Sequence, residues 1–293
     1  MRIGMIAFLL AVAFLQTLPG KAQSLPSGCL IYTAAGQPVT YQGLAQLINR
    51  YDVIVFGEYH DNALLHQLEF QLLQAAFGRQ PKLAVSLEMF ERDVQSRLDD
   101  YLAGRSPEEK FLSLARPWPN YRTDYRPLVE FAKANSLPVI AANIPRALAA
   151  RYARTGELAG LTAEESAYLP QVHLAPPGQY RERFMDYLKG ERASAMPVGD
   201  DKLENYYKAQ CLKDDTMAES IAAFHQRQPD YKIIHYQGDF HSRHRLGVVE
   251  KLQLLDPALR IAVITPVYAK DFGNLPKLLA EQGAAGDIVV ILQ

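Results

Sequence analysis

The chain has 293 residues, 48% of them hydrophobic, with 31 Lys and Arg against 32 Asp and Glu, a formal charge of −1. That length suits one large α/β domain or two small ones. The near-even charge speaks against nucleic acid as the main partner, because such binding draws its affinity from neutralised phosphates.

The chain opens with Arg2, an apolar run from Ile3 to Leu18 and then Gly20-Lys21-Ala22, which describes a signal peptide of residues 1–22 cut after Ala22. The run falls short of the ~20 apolar residues a spanning helix needs, so a retained anchor is the weaker reading. A mature domain of residues 23–293 is expected, exported to a periplasm or beyond. Without Arg2 and Lys21 it carries 29 basic against 32 acidic residues, and no later stretch reaches spanning length. Leu25-Pro26-Ser27-Gly28-Cys29 ends as a bacterial lipobox does, but Pro26 stands where Leu is wanted. Lipid anchoring through Cys29 is therefore the lesser alternative. Cys29 and Cys211 are the two cysteines; in an oxidising compartment they could pair. Two free thiols, or a lipidated Cys29, fit the sequence equally.

Short β-branched apolar runs then recur: Val53–Phe56, Leu83–Leu87, Pro138–Ala141, Lys232–Tyr236, Ile261–Ile264 and Ile288–Ile291. Unbroken apolar runs suit strands buried on both faces. Leu64, Leu65, Leu68, Leu72 and Leu73 form a helical stripe after the first run, and Leu128, Phe131 and Ala132 form another. The alternation predicts an α/β fold with a mainly parallel central sheet flanked by helices. Residues of approximately 152–223 show no strand signal and read as a helical insert between the third and fourth strands. Breaks at Pro176-Pro177 and Met196-Pro197 divide it. Insertions of this kind build lids or lobes over a site. The stretch Arg116–Tyr121 reads as an ordered loop.

Polar residues follow each strand: Gly57-Glu58-Tyr59-His60-Asp61-Asn62, Glu88-Met89-Phe90, Asn143-Ile144-Pro145-Arg146 and Gly238-Asp239-Phe240-His241-Ser242. In an open parallel sheet these ends share one edge, outside which ligands bind. Glu58, His60, Glu88, Asn143 and His241 should therefore converge, with Asp61, His66, Arg146 and Ser242 in support. Buried acids and imidazoles are costly unless they hold a ligand, a metal or one another. Gly-x-x-His occurs twice, each time straight after a strand. The glycine is expected to ease a tight turn and the histidine to offer a neutral nitrogen to a metal or substrate. The plainer alternatives are a histidine pair that ties loops together and glutamates partnered by Arg146 or the backbone. Asp61 or Asn62 is expected to cap the next helix. His66 and Glu69, at i and i+3, face either the site or the surface. His235 reads as a satisfied core residue.

These residues resemble a family. Val55-Phe56-Gly57-Glu58-Tyr59-His60-Asp61-Asn62, with His66 beyond, is similar to the opening motif of the ChaN-like haem-binding proteins. Matches continue through Leu87–Phe90, Trp118 with Tyr121 and Asp124–Pro127, Pro138–Arg146, Ala209-Gln210, Asp215–Ala218, and Gly238 with Phe240–Ser242. The resemblance spans roughly residues 51–247. It implies an exported, iron-linked protein that binds haem, with a homodimer and membrane haem-transport components as further expected partners. It also implies kinship with Tiki-type metal-dependent proteases and erythromycin-esterase-like hydrolases, whose paired elements map onto Glu58, His60, Glu88 and His241. The lipobox is poor, and His66-Gln67 stands where many relatives carry two histidines.

Haem needs an axial ligand, an apolar slot and cations for its propionates. Within the insert, Tyr168 and His173 are the expected iron ligands, with Tyr180 and Tyr187 in reserve and Arg181 or Arg183, or Arg122 of the earlier loop, for the propionates. No Cys-x-x-Cys-His is present, so covalent c-type attachment is excluded. Three readings result: a haem-binding protein of uptake or scavenging, then a metal-dependent hydrolase with a divalent ion on the paired Gly-x-x-His site, then a non-catalytic interaction module. If haem is bound, its ligand should lie in the insert rather than in the crowded strand-end pocket.

Overall fold

The computed structural model describes residues 24–190, 199–269 and 273–293. The expected leader, residues 1–22, and the Met196-Pro197 break lie outside the described residues. Among those described, the strands are β1 (Cys29–Thr33), β2 (Val53–Glu58), β3 (Leu83–Glu91), β4 (Val139–Asn143), β5 (Lys232–Gly238), β6 (Ile261–Tyr268) and β7 (Ile288–Leu292). They form one sheet in the order β1-β7-β6-β2-β5-β3-β4. All neighbours are parallel except β1, which runs antiparallel to β7. The mainly parallel, helix-flanked sheet is the one the apolar runs imply. β1 is absent from that expectation because it is a half-exposed edge strand with a short, mixed pattern.

Alternation along β2 shows how both faces are covered. Ile54 and Phe56 join a core with the helices Tyr41–Arg50, Ala63–Phe77 and Arg126–Ala134. Val53 and Val55 point the other way, toward Met217, Ala218 and Ile221 of the helix Asp200–Arg227 and Val248, Val249 and Leu252 of the helix Val248–Leu255. Successive strand side chains take opposite faces, and each fully buried Val, Ile or Phe contributes roughly 1.5–3 kcal/mol over an exposed one. Among the described residues no helix is long and apolar enough to cross a membrane.

The insert differs from expectation in two respects. Its helical part begins earlier, with the helix Arg146–Thr155, and its last helix, Asp200–Arg227, belongs to the sheet-covering layer in its second half. The first half of that helix carries the packing of Arg146–Thr155 through Leu148, Ala149, Tyr152, Ala209 and Leu212. It also carries the helix Gln179–Gly190 through Tyr180, Phe184, Tyr207 and Cys211. Cys29 and Cys211 are free, buried thiols in separate core clusters, so they do not pair. The Cys29 thiol donates to the Pro26 carbonyl at 3.3 Å.

Candidate functional site

The strand register levels the ends that carry the polar residues. Glu58 of β2 lies opposite Gly238 of β5, and Leu87 of β3 opposite Tyr236. A bulge between Leu87 and Glu91 bends β3 where Glu88 leaves the sheet, as bulges beside sites commonly do. The two glycines serve by their size. A Cβ on Gly57 would sit 2.8 Å from Asp239 Oδ1, and one on Gly238 would sit 2.8 Å from His60 Nε2. Each glycine thus makes room for the other motif. The expected turn freedom is not its role, since Gly238 has an ordinary φ of −57°.

On the β5 side, His241 lies between two carboxylates. Its Nδ1 is 2.5 Å from Asp214 Oδ1 and its Nε2 is 3.4 Å from Glu88 Oε1. Burial alone would lower its pKa, but the charges of Glu88 and Asp214 push it up to about 10. Burial alone would raise Glu88, but the His241 charge and hydrogen bond, with His60 beyond, hold it below the usual carboxylate range. Glu88 Oε2 accepts from the Gly238 amide at 2.8 Å. The Tyr180 hydroxyl donates to Asp214 Oδ2 at 2.6 Å, and the Gln210 carboxamide nitrogen lies 3.2 and 3.3 Å from the His241 ring nitrogens.

On the β2 side, His60 Nδ1 lies 2.5 Å from Glu58 Oε1, and its ring stands edge-on to Trp118 at 4.8 Å. Burial works to lower the His60 pKa, but hydrogen bonding to Glu58 and the nearby carboxylates raise it overall. The loop after Trp118 runs into a π-helical turn, Tyr121–Tyr125, which brings the Tyr125 hydroxyl to Glu58 Oε1 at 2.7 Å. His66 and Glu69 turn inward: both are buried, with His66 Nδ1 2.9 Å from Glu69 Oε2 and 3.5 Å from Glu58 Oε2. Burial, reinforced by the Glu58 charge, holds the Glu69 carboxyl well above its ordinary range.

Glu58, His60, Glu88 and His241 therefore meet, with His66 behind them. Asn143 does not join: its amide donates to the Glu88 carbonyl at 3.1 Å and its oxygen accepts from Ile144. Arg146 pairs with Glu91, not with Glu58 or Glu88. Ser242 is buried behind the cluster. Asn62 caps the following helix through the Leu65 amide, whereas Asp61 is exposed. His235 is a core residue between Ser86 and Gln237. Asp214 escaped the sequence reading, yet a signal existed: Tyr207, Cys211 and Asp214 fall at i, i+4 and i+7 on one fully buried helix face, where a carboxylate needs a partner.

The helices Arg146–Thr155, Gln179–Gly190 and Asp200–Arg227 enclose a groove of about 490 Å³. Ala149, Ala150 and Ala153 make one low wall, Phe184, Tyr187 and Leu188 another, and Leu203, Tyr206 and Ala209 a third. Arg146, Gln210 and Lys213 are its polar lining, so Gln210 touches both the groove and His241. The expected haem ligands lie elsewhere. Tyr168 is half-buried against Ile144 and Leu148. His173 hydrogen-bonds Asp215 at 2.8 Å, a carboxylate also held by Lys251. The Tyr180 hydroxyl is committed to Asp214, and Arg181 to Glu204. Arg183 donates to the Arg243 carbonyl, and Arg122 is exposed. Tyr187 lines the groove, as do Tyr206 and Lys213, which sequence reasoning passed over.

A family model described as "Haem-binding uptake, Tiki superfamily, ChaN" matches residues 44–252. Among solved structures the chain is similar to ChaN of Campylobacter jejuni, described as showing cofacial haem binding, at 16% identity and a TM-score of 0.67, over 90% of this chain and 97% of that one. It is also similar to an erythromycin esterase mutant in its open conformation, at 14% identity and a TM-score of 0.50, over 85% of this chain and 92% of that one. At such identities the likeness is one of fold. No curated protein sequence matches the chain.

Proposed function

The chain belongs to the ChaN haem-binding uptake family of the Tiki superfamily, and from that premise we propose that it binds haem in the groove among the insert helices. The observation that carries this is the groove's composition. It has the few hundred Å³ typical of a cofactor site, low alanine walls that suit a flat macrocycle, two phenols and two cations. Tyr187 and Tyr206 are the candidate iron ligands, since a tyrosine phenolate ligates ferric haem. Lys213 would pair with one propionate, and the Arg146 guanidinium, which already pairs with Glu91, would have to share its remaining N–H groups with the other. Bound haem would supply an iron centre for storage or transfer. What the chain itself supplies is an apolar slot that excludes water and two charges that orient the edge.

Further parts of the reading rest on the sequence. The run Ile3–Leu18 supports export to a periplasm and a role in haem uptake alongside membrane transport components. The cofacial haem of the Campylobacter protein supports a homodimer that brings two grooves together. Haemin titration of the apoprotein should raise a Soret band saturating at one equivalent per chain. No band with the unmutated protein would end the haem reading. Intact mass should place the exported N-terminus at Gln23, and a diacylglyceryl increment on Cys29 would replace the soluble form with a lipoprotein.

A metal-dependent hydrolase is supported less well. Both His241 nitrogens lie within reach of carboxylates, so the ring carries protons where a metal or an activated water needs a lone pair. An esterase and peptidase screen of metal-loaded protein tests this second reading directly.

A further inference from the structure

His66 has a fixed tautomer. Its Nε2 lies 3.2 Å from the His60 carbonyl, which can only accept, so Nε2 carries the hydrogen. In the neutral ring Nδ1 then holds a lone pair, and it faces Glu69 Oε2 at 2.9 Å and Glu58 Oε2 at 3.5 Å. Glu58 Oε2 and Glu69 Oε1 are fully buried and have no hydrogen-bond partner. Glu58, His66 and Glu69 each offer a ligand atom within 4.8 Å of the others. Acceptors thus converge from three side chains, and a single proton on the Glu69 carboxyl, which burial favours, is the one donor among them. One shared proton would satisfy a single pair and leave another buried oxygen orphaned, a costly state. A metal ion would satisfy all three side chains together.

We propose that Glu58, His66 and Glu69 hold a divalent first-row transition-metal ion at a site separate from the haem groove. The spacing suits it: bonds of about 2.0–2.2 Å to nitrogen and carboxylate place neighbouring ligand atoms roughly 3–3.5 Å apart. An imidazole whose other N–H donates to a backbone carbonyl is the usual arrangement of a metal-bound histidine. One imidazole with two carboxylates favours Mn²⁺, Fe²⁺, Co²⁺ or Zn²⁺ over the oxygen-seeking Mg²⁺ and Ca²⁺. Asp124 Oδ2, 3.7 Å from His66 Nε2, adds negative charge beside the site. Glu58 would bridge outward: its second oxygen already takes Tyr125 and His60. The ion would thus fix the His60 ring at the mouth of the strand-end cluster and tie the helix Ala63–Phe77 to β2.

The test uses haem-free full chain, stripped with chelator, dialysed and titrated with Co²⁺ and then Zn²⁺. One equivalent should bind, with visible Co²⁺ ligand-field bands that Zn²⁺ displaces and a rise in melting temperature. His66→Gln and Glu69→Gln should each weaken binding at least tenfold while keeping the far-UV circular dichroism of the parent. Glu69→Gln also mimics a protonated carboxyl. If a proton fills the gap, the parent shows no metal-dependent rise and this variant melts as the parent does, which overturns the proposal. Undiminished uptake in both variants overturns it equally. Should Glu69→Gln fail to fold, His66→Gln decides alone. A parallel haemin titration of the same sample keeps the two outcomes apart, since loss of metal uptake and loss of the Soret band are read separately.

Discussion

The groove and the strand-end cluster share Gln210 and are built in opposite ways. In the cluster, Glu88, Asp214 and His241 are almost wholly buried, and the charges answer one another. In the groove the walls are alanine, leucine and aromatic, and only Arg146, Gln210 and Lys213 add polar side chains beyond the two phenols. A buried charge network is held by its own partners, so it resists rearrangement and rewards no incoming ligand. An apolar slot edged with cations does the reverse. It leaves apolar surface to be covered and the Lys213 charge to be answered by whatever enters, while Arg146 is already paired with Glu91. The contrast matches the proposed division, with fold maintenance for the Glu88–His241–Asp214 network and haem binding for the groove.

The largest expected effect tests the cluster. His241→Ala removes the positive partner of Glu88 and Asp214 and should cost about 3–5 kcal/mol, the usual penalty for stranding a buried charge. Urea unfolding measures it, and the Soret band of the haem complex should not move. A cost below about 1 kcal/mol would break the contrast, since the cluster would then not depend on its charges. The pH dependence follows the same pair. The His241 pKa is raised from an ordinary 6.5 to about 10. Its contribution is therefore fully present below about pH 6.5 and fades as the pH rises through about 10. Glu88 is depressed, so its contribution is present above the ordinary carboxylate range and is lost on strong acidification. The alkaline loss should be absent from His241→Ala.

Next comes the groove. Tyr187→Phe with Tyr206→Phe should weaken haem at least tenfold, about 1.4 kcal/mol, and shift the Soret maximum. For Tyr187, 41% exposed, the single change should leave stability within about 0.5 kcal/mol. A double variant with an unaltered spectrum would move the iron ligand out of the groove. Arg146→Gln and Lys213→Gln should each cost about 0.2–1 kcal/mol of haem affinity, the range of exposed ion pairs. That loss should shrink as salt is raised, and salt-independent losses would remove the propionate role.

How much of this was legible depends on where each signal resides. The six parallel strands are continuous apolar runs, and their polar ends name Glu58, His60, Glu88 and His241 directly, because strand order alone brings those ends together. Glu69 was half legible. It falls inside the buried stripe of Leu65, Leu68, Leu72 and Leu73, but periodicity says only that it is covered, not that Glu58 and His66 meet it there. Tyr168 and His173 show the limit. A phenol or imidazole in the insert can be read from the sequence. Which one lines the groove depends on how three helices cross, and no local pattern fixes that. β1 illustrates the same point for an edge: its place comes from pairing with β7, across more than two hundred residues of chain.

The smallest expected effect on haem binding comes from Gln210, and it is also the sharpest test, because Gln210 belongs to both regions. Its carboxamide nitrogen lies 3.2 and 3.3 Å from the His241 ring nitrogens and 3.4 Å from the Tyr180 hydroxyl, while the side chain lines the groove. Gln210→Leu keeps most of the volume and removes the hydrogen bond that the carboxamide donates to the Tyr180 hydroxyl, since the doubly protonated His241 ring can accept none. Stability should fall by about 0.5–1.5 kcal/mol, the net worth of an ordinary hydrogen bond. Haem affinity should stay within about threefold, because leucine adds apolar surface to the slot it faces. The double variant with His241→Ala then measures whether the regions communicate. In stability the two changes should couple by about 0.5–3 kcal/mol, since the residues touch. In haem affinity they should add without coupling if the cluster serves the fold and the groove serves the ligand. A coupling in haem affinity above about 0.5 kcal/mol would make the cluster part of the binding site, with Gln210 as the contact that carries its influence to the haem.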